Sequence, residues 1–297
     1  MHRRQSLVRG VIADVVIPYS SDEEPDFDRL ASEIKVLEGS GVHAFCVGGV
    51  LSGAIGATPD QLSSLCAAVR RSSGKPVFAI VFPDASPEGY EMVRAVDEAG
   101  AEAIFVGQPH YLAQPGVEGL EEMFAGLREL TDRPVLVADC LPGSLLGVAS
   151  IRKLVEKGLV DGVLEAADMH VLVDLLCLQL EVPVYSSIED LHYPALVLGA
   201  QGVISNLASV FPCECVDMYD AMQEGGHLEA RRLHEQLVRL WRALSTGSER
   251  EARLRLALAL RGRPVGPARS PYGKLPRLAS QQISAILEKE GALTQAR

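Results

Sequence analysis

Short, almost wholly apolar runs alternate along this chain with longer segments in which apolar residues recur at helical spacing. A continuous apolar run is typical of a strand buried on both faces, whereas an apolar stripe every three or four residues predicts an amphipathic helix. The predicted strands are 11–17, 43–48, 76–81, 103–106, 134–138, 162–165, 182–186 and 202–205. The helices predicted after them are 27–40, 59–72, 86–100, 119–130, 150–158, 168–180, 190–198 and 212–225.

Eight successive strand–helix units predict the fold class. Each helix crosses over from one parallel strand to the next in a right-handed sense, and eight such units close into a (β/α)8 TIM barrel. A doubly wound open α/β sheet is the alternative, but its phosphate-binding G-x-G-x-x-G would have to follow the first strand. Ile17-Pro18-Tyr19 stands there instead. The barrel is therefore favoured, and its functional residues are expected where the strands end.

The strand pattern stops after the glycine pair at 225–226. Segments 227–244, 249–260 and 277–290 then have helical spacing. We therefore divide the chain into a barrel, residues 1–225, and a C-terminal extension of three helices, residues 226–297. The apolar faces of these helices need a partner, which is either the side of the barrel or a second subunit.

Composition and charge exclude several classes of partner. The 297 residues carry 28 basic and 39 acidic side chains, a net charge of −11, which argues against a surface that follows nucleic-acid phosphates. No apolar run reaches the ~20 residues of a membrane helix, and no signal-peptide core follows the basic N-terminus, so we expect no membrane partner and a cytoplasmic protein. The six cysteines fit no zinc template and no P-loop, G-x-S-x-G or H-E-x-x-H occurs, so we expect no metal and no cofactor.

Five stretches of the sequence, in this order, resemble segments of one enzyme family. GVIADVVIPYSSD (10–22) is similar to its first strand, GVHAFCVGGVLSGAIGATPDQ (41–61) to its substrate loop, and PHYLAQPGVEGL (109–120) to its Pro-Tyr-Tyr segment. GVISNLASVFPCECVDMY (202–219) resembles its eighth strand and next helix, and ARLRLALALRGRPVGPARSPYGKL (252–275) its helical tail. The family is that of dihydrodipicolinate synthase and N-acetylneuraminate lyase. The resemblance implies a barrel, a 2-oxo acid such as pyruvate as substrate, and a homo-oligomer, either a dimer or a tetramer.

The resemblance fails at the residues that carry the family's chemistry. The family forms an imine between its substrate and a lysine in a Gly-x-Lys-Glu segment on the sixth strand, and Leu164 stands at that lysine here. A hydrocarbon side chain has no lone pair with which to attack a carbonyl carbon. Val50 and Leu51 replace two threonines of the substrate loop, and Ser144 replaces the arginine that faces the substrate carboxylate. Of the family's proton-relay tyrosines, only Tyr111 has a match.

Asp14 is the most informative substitution, because it lies in the middle of the otherwise apolar first strand. A carboxylate inside a barrel is strongly desolvated unless it is paired, hydrogen-bonded or protonated. Asp14 is therefore a candidate general acid or base with a raised pKa. The alternative is a structural carboxylate that is hydrogen-bonded to buried amides or hydroxyls.

Further candidate catalytic groups end the fifth and sixth strands. Asp139 and Glu165 join Asp14 and Tyr111 in this set, and the three carboxyls would couple their titrations if they converged. Three carboxylates would also suit a hard divalent cation, but no histidine partner is evident. Glu165 matches a glutamate of the family that is scaffold there, which is the alternative interpretation of this residue.

Polar residues and a thiol at the strand ends are candidates for contacts with a ligand. Cys140 next to His110 would form a nucleophilic thiolate pair, and a buried inert thiol is the alternative. The strand-end serines either line a polar pocket or only terminate their strands, and Asn206 ends the eighth strand beside them. The candidate ligand-binding residues are Gly49, Ser52, His110, Cys140, Leu164, Ser186 and Ser205.

Two hypotheses follow for the function. In the first, the barrel mouth binds a small carbonyl or carboxylate compound, such as an oxo acid, and carries out lyase, hydratase or condensation chemistry by acid–base catalysis without a lysine imine. In the second, the chain is a catalytically inactive paralogue that binds a ligand, or that regulates or stabilises an active relative as a subunit. Polar groups newly placed inside the barrel favour the first, and apolar replacements favour the second.

Overall fold

The computed structural model describes residues 7–109, 115–141, 145–247, 249–272 and 275–293. Eight parallel strands form a closed barrel in which each strand pairs with its neighbour in sequence and β8 pairs with β1. The predicted (β/α)8 fold is confirmed. The strands are β1 Gly10–Asp14, β2 Ala44–Val47, β3 Val77–Val81, β4 Ala103–Gly107, β5 Val135–Asp139, β6 Gly162–Glu165, β7 Val184–Ser186 and β8 Gly202–Ser205.

Helices follow every strand and cover the outside of the barrel. A 3-10 turn at Glu189–Leu191 and the four-residue helix α8 at Leu207–Val210 were not predicted, because both are too short to show a period. The helices of the barrel are α1 Phe27–Gly39, α2 Pro59–Ser72, α3 Ser86–Glu98, α4 Val117–Leu130, α5 Gly147–Glu156, α6 Met169–Cys177, α7 His192–Val197, α8 Leu207–Val210 and α9 Pro212–Gln223. The C-terminal helices are α10 His227–Ser245, α11 Arg250–Leu260 and α12 Arg277–Lys289.

Local chemistry explains where these helices begin. Asp26 accepts the N–H of Arg29 at 2.9 Å at the start of α1. Thr58 and Gln61 form a reciprocal capping box at the start of α2, with Pro59 in its first turn. Each pair satisfies N–H groups that have no partner within the helix, so the helix starts at a defined residue.

The strands are buried on both faces, and the two faces contact different layers. Side chains such as those of Val11, Ala13 and Val15 pack against the helices, whereas alternate residues fill the barrel interior. Phe78, Phe105 and Tyr185 form an aromatic cluster inside, with ring centroids 5.7 to 6.4 Å apart. The Tyr185 hydroxyl donates to the backbone carbonyl of Val8 at 2.7 Å, which places this cluster at the N-terminal end. The opposite end is the mouth, where the strands terminate.

The C-terminal helices pack on the barrel helices. Helix α10 lies along α9, and α12 contacts both α10 and α11. The segment that follows α11 is tied to α1 by Arg263, whose guanidinium donates to the buried Glu33 carboxylate at 2.7 and 3.0 Å. The division of the chain at residues 225 and 226 stays a prediction. Among the helices of the described residues, none combines the length and the apolar character that crossing a bilayer requires.

Candidate functional site

Asp14 is the last residue of β1, and its side chain points into the barrel. Its neighbours Ala13 and Val15 pack in the outer layer, while Ile12, two residues back, lies in the interior cluster. Asp14 is 5% exposed. Across the ladder it is paired with Cys46 of β2, which is also interior. The prediction of a carboxyl inside the bore therefore agrees with the geometry, and its catalytic role stays a prediction.

Three elements hold Asp14 in place. The side-chain amide of Asn206, just after β8, donates to Oδ2 of Asp14 at 2.7 Å. The Ser209 hydroxyl, in α8, donates to the Asp14 backbone carbonyl at 2.5 Å. A β-carbon placed on Gly49 would lie 1.9 Å from Oδ2. The loop after β2 can therefore pass this close to the carboxyl only because position 49 is a glycine. Oδ1 is buried and has no hydrogen-bond partner within the described parts of the chain.

Burial dominates the acidity of Asp14. It raises the pKa of this carboxyl to about 7, and hydrogen bonds from the Asn206 side chain and the Gly49 backbone oppose the rise. Both protonation states are therefore populated near neutral pH. A group poised in this way can either accept or deliver a proton without a large energetic cost.

Ser52 shapes the loop that passes over Asp14. Its hydroxyl donates to the carbonyl of Gly49 at 2.7 Å and accepts the N–H of Ala54 at 3.3 Å. Its own carbonyl accepts the N–H of Ile17 at 2.8 Å. Ser52 is fully buried and holds the turn, and a contact with a ligand stays a prediction for it.

Asp139 and Glu165 face the helices rather than the bore. They are register partners at the ends of β5 and β6, in the alternate positions to the interior residues Ala138 and Leu164. Oδ2 of Asp139 accepts the N–H groups of residues 146 and 147 at 3.1 and 3.4 Å, which holds the start of α5. Oε1 of Glu165 accepts those of residues 167 and 168 at 2.9 and 2.8 Å.

The three candidate carboxyls therefore do not form one cluster. Burial raises the pKa of Asp139 to about 6 and that of Glu165 to about 8, and the charge of Asp139 adds to the rise at Glu165. Asp14 is separated from them by the wall of the barrel. Within the described residues, no three histidine, cysteine or acidic side chains lie together as metal ligands. The convergence considered from sequence is corrected, because successive residues of a strand point to opposite faces.

Ser186 and Ser205 also point outward at their strand ends. Ser186 accepts the N–H of Ile188 at 3.2 Å. Ser205 donates to Oε2 of Glu189 at 2.7 Å, and Oε1 of Glu189 accepts the N–H of Asn206 at 2.5 Å. Sequence reasoning missed Glu189, and it placed Asn206 at a strand end without connecting it to Asp14. For Asn206 the available signal was a polar residue directly after a barrel strand. Glu189 lies further on, in the 3-10 turn beyond β7, and no such signal marks it.

Cys140 and Leu164 complete the candidate residues near the bore. Burial raises the pKa of the Cys140 thiol well above its ordinary value, with Glu165 and Asp139 adding to the rise, so the thiolate is disfavoured. Leu164 is fully buried in the interior cluster. The candidates His110 and Tyr111 lie outside the described residues.

The described lysines lie away from the mouth. Lys75 donates to the carbonyl of Val42 just before β2, at the N-terminal end of the barrel. Lys157 pairs with Glu121 at 2.6 Å on the outer helices. The other three described lysines belong to helices α1, α5 and α12 and are Lys35, Lys153 and Lys289. Of these five, none lies on a barrel strand.

A cleft of about 420 Å³ opens beside the mouth, between the loops that follow β2, β3 and β4. Its walls include Val50, Ile80 and Phe82, so it is mainly apolar. Gln108, just after β4, lines it and is 2% exposed, and neither atom of its amide is hydrogen-bonded within the described residues. The volume is in the range of pockets that hold small molecules.

Comparison with known proteins shows where this architecture recurs. The model of the Dihydrodipicolinate synthetase family matches residues 7–290. The 4-hydroxy-tetrahydrodipicolinate synthase of Methanothrix thermoacetophila is 27% identical over 293 residues, which cover 97% of this chain and 99% of that protein. The enzyme of the same name from Methanopyrus kandleri is 29% identical over 305 residues, with 96% and 97% covered.

Solved structures agree in fold. The crystal structure of dihydrodipicolinate synthase from Aquifex aeolicus superposes with a TM-score of 0.88 at 23% identity, covering 96% of this chain and 99% of that one. YagE, a prophage protein of the dihydrodipicolinic acid synthase family from E. coli K12, in complex with pyruvate, gives a TM-score of 0.89 at 21% identity, with 96% and 99% covered. At such identities the likeness shows the fold alone. The family model, which spans nearly the whole chain, shows more: this protein belongs to the dihydrodipicolinate synthetase family.

Proposed function

We propose that the barrel mouth binds a small carbonyl or carboxylate compound of the 2-oxo acid class and that Asp14 exchanges protons with it without a lysine imine. The observation that carries this proposal is the interior carboxyl itself, with one oxygen held by Asn206 and the other unpartnered. A buried polar atom without a partner is costly unless a ligand or water completes it. A pKa of about 7 for Asp14 suits the transfer of a proton in either direction.

The absence of an imine is inferred from the side chains inside the barrel. Leu164 takes the position that the family resemblance gives to the lysine, and it lies among apolar neighbours of the interior cluster. The five described lysines are on helices or at the opposite end of the barrel. YagE is described in complex with pyruvate, which supports a 2-oxo acid as the ligand class for this chain.

Acid–base chemistry on such a compound needs few groups. The Asp14 carboxylate takes a proton from the carbon next to the ligand's carbonyl group and becomes a carboxylic acid, and the ligand becomes an enolate. Return of that proton to a different atom of the ligand, or loss of a leaving group from the enolate, would complete an isomerase or lyase reaction. For Asp139, Glu165 and Tyr111, a catalytic role stays a prediction.

The first experiment tests the imine. The protein is incubated with pyruvate and borohydride and is then weighed by mass spectrometry. We expect an unchanged mass, because no described amine lies at the mouth. A stable pyruvyl adduct would overturn the proposal.

The second experiment tests binding and the role of Asp14. A thermal-shift panel of 2-oxo acids, sugar acids and aldehydes should contain a compound that raises the melting temperature, because a ligand of the folded state stabilises it by mass action. With that compound, Asp14→Asn should fold and lose turnover. If the compound binds and neither protein turns it over, the alternative of an inactive paralogue with a ligand-binding or regulatory role is favoured.

We also infer that the protein is a cytoplasmic homo-oligomer, a dimer or a tetramer. Helices α6 and α7 expose apolar side chains, of which Met169 and Val197 are 47% and 53% exposed, with Leu198 next to the latter at 49%. Neighbouring exposed apolar side chains, as at Val197 and Leu198, are typical of contact surfaces between proteins. Light scattering on the purified protein should give two or four times the chain mass of 31.9 kDa.

A further inference from the structure

Asn206 is the only asparagine among the 297 residues of the chain. It is 7% exposed, and its side-chain amide donates to Oδ2 of Asp14 at 2.7 Å. Its backbone N–H donates to Oε1 of Glu189 at 2.5 Å, and the next residue, Leu207, donates to the same oxygen at 3.3 Å. The backbone of Asn206 is therefore fixed at the end of β8, and its side chain reaches Asp14 at the end of the adjacent strand β1.

We propose that Asn206 is the positioning residue for Asp14: its amide keeps Oδ2 as a permanent acceptor and thereby confines the exchangeable proton of Asp14 to Oδ1. The inference rests on the proposed function, in which Asp14 exchanges a proton with a bound carbonyl compound. The inference identifies Oδ1 as the oxygen of Asp14 that contacts the compound, and the side chain of Asn206 as the group that selects this oxygen.

The chemistry of the two groups supports this assignment. An amide nitrogen only donates, so the oxygen opposite it must offer a lone pair in both protonation states of the carboxyl. In a carboxylic acid the carbonyl oxygen is the better acceptor, so the bond from the amide favours the form in which Oδ2 is the carbonyl oxygen and the hydrogen is on Oδ1. Oδ1 is the buried oxygen that has no partner within the described residues, so it is the atom left for a ligand.

The backbone N–H of Gly49 is a second donor to the Asp14 carboxyl, and since Oδ1 has no partner within the described residues, this bond also falls on Oδ2. The titratable groups around Asp14 do not supply a competing donor. The thiols of Cys46 and Cys140 and the carboxyl of Glu189 are the titratable neighbours whose charge is coupled to that of Asp14. Burial raises the pKa of all three, which keeps the two thiols neutral over the range in which Asp14 titrates. The carboxyl of Glu189 is already occupied by Ser205 and by the N–H groups that follow it.

A single asparagine makes the test direct. Deuterated protein is labelled with 15N only at the asparagine side chain, so that one NH₂ pair reports on Asn206, and its spectrum is followed from pH 5 to pH 9. We expect one amide proton to lie far downfield at both ends of the range, with a titration step near pH 7 from Asp14. The spectra are recorded in a Glu189→Gln background, because Glu189 contacts Asn206 and its own pKa of about 8 lies in the same range. In Asp14→Ala the step should disappear and the downfield proton should move to the position of an unbonded amide.

Two outcomes would overturn the proposal. A proton that is downfield only above the midpoint would place the acid hydrogen on Oδ2, and a titration that persists in Asp14→Ala would belong to another group. Ser209→Ala is the matched control, because it removes a hydrogen bond to the Asp14 backbone and leaves the carboxyl untouched. The step should remain in this variant.

A second measurement reads the carboxyl directly. In protein labelled with 13C at the aspartate carboxyl carbons, the Asp14 resonance is the one that Asp14→Ala removes. Asn206→Leu should raise the midpoint of that resonance by roughly one pH unit, because the ionised form loses its donor. An unchanged midpoint in the folded variant would contradict the proposal. Neither measurement uses a substrate, so a pyruvyl adduct in the wild-type protein would remove the proposed function and leave this assignment standing.

Discussion

Glu189 accepts the backbone N–H of Asn206 at 2.5 Å, so a carboxyl on the outer side of the barrel fixes the residue that holds Asp14 inside it. The same carboxyl accepts the Ser205 hydroxyl at 2.7 Å. Together these bonds join the turn after β7 to the end of β8. The geometry of the bore therefore depends on a residue that does not line it.

The titration of Glu189 should appear in the pH dependence of stability. Burial raises the pKa of this carboxyl to about 8, above its value in an unfolded chain. Between those two values the folded state keeps a proton that the unfolded chain has released, so stability is fully present on the acid side and is lost as the pH rises. The loss is at most about 1.4 kcal/mol per pH unit for one group.

Glu189→Gln should remove that slope, because a carboxamide does not ionise. Its carbonyl can still accept the two backbone N–H groups, so the variant should fold. We expect urea denaturation to show that the free energy of unfolding of the variant increases relative to that of the wild-type protein as the pH rises from 5 to 8. Parallel stability curves would show that Glu189 does not titrate in this window. His192, whose Nε2 lies 3.3 Å from Oε2 of Glu189, has its pKa lowered to about 3 through burial, so its ring is neutral in the folded wild-type protein throughout this window.

Gly49→Ala should be destabilising because of Asp14. The added β-carbon would lie 1.9 Å from Oδ2, so the carboxyl or the loop must move, at a cost of about 1–3 kcal/mol. In an Asp14→Ala background the same change should cost less than about 1 kcal/mol, and urea denaturation of the four proteins gives the coupling. Gly74→Ala is the control, because nothing lies within 4 Å of its added carbon. Equal costs of Gly49→Ala in both backgrounds would show that Gly49 and Asp14 are not energetically coupled.

The sequence predicts the barrel well because each strand is buried on both faces and carries a continuous apolar run. The predicted 202–205 and 162–165 coincide with β8 and β6, and the cap at Thr58 is where it was expected. The site is harder, since consecutive residues at a strand end point to opposite sides. The positions of Asp139 and Glu165 at the ends of their strands predict that they lie in the mouth. In the barrel they alternate with the interior residues, so their side chains face the helices and lie outside the bore.

The pair of Asp14 and Asn206 could not be predicted from either residue alone. They are 192 positions apart, and they meet only because the eighth strand closes onto the first. The sequence showed a polar residue at each place. Which of the several strand-end polar groups reaches Asp14 depends on the stagger of the closed barrel, which no local pattern encodes.

Asp139→Asn should affect stability more than binding. The Asp139 carboxyl accepts two N–H groups at the start of α5, and replacing it by an amide, which accepts more weakly and can present its NH₂ instead, should cost up to about 1 kcal/mol. Relief of the buried charge, which raises the pKa of Asp139 to about 6, offsets part of this cost. The shift in melting temperature that a bound oxo acid produces should stay the same, because the side chain lies outside the bore. A variant of normal stability that no longer responds to the ligand would instead place Asp139 in the ligand-binding site.

Leu164→Lys should give the barrel an amine where wild-type protein has none. The side chain would replace a fully buried leucine of the interior cluster, and burial without a counter-charge lowers the pKa of an amine, so part of it would be unprotonated and nucleophilic near neutral pH. We expect pyruvate and borohydride to give a mass adduct with Leu164→Lys and none with the wild-type protein. Lys157→Met in the same background is the control, since Lys157 lies on the outer surface beside Glu121 and its loss should leave the adduct intact. If pyruvate stabilises the folded Leu164→Lys protein and no adduct forms, then position 164 does not face the bound oxo acid, and the argument that its hydrocarbon side chain excludes an imine fails.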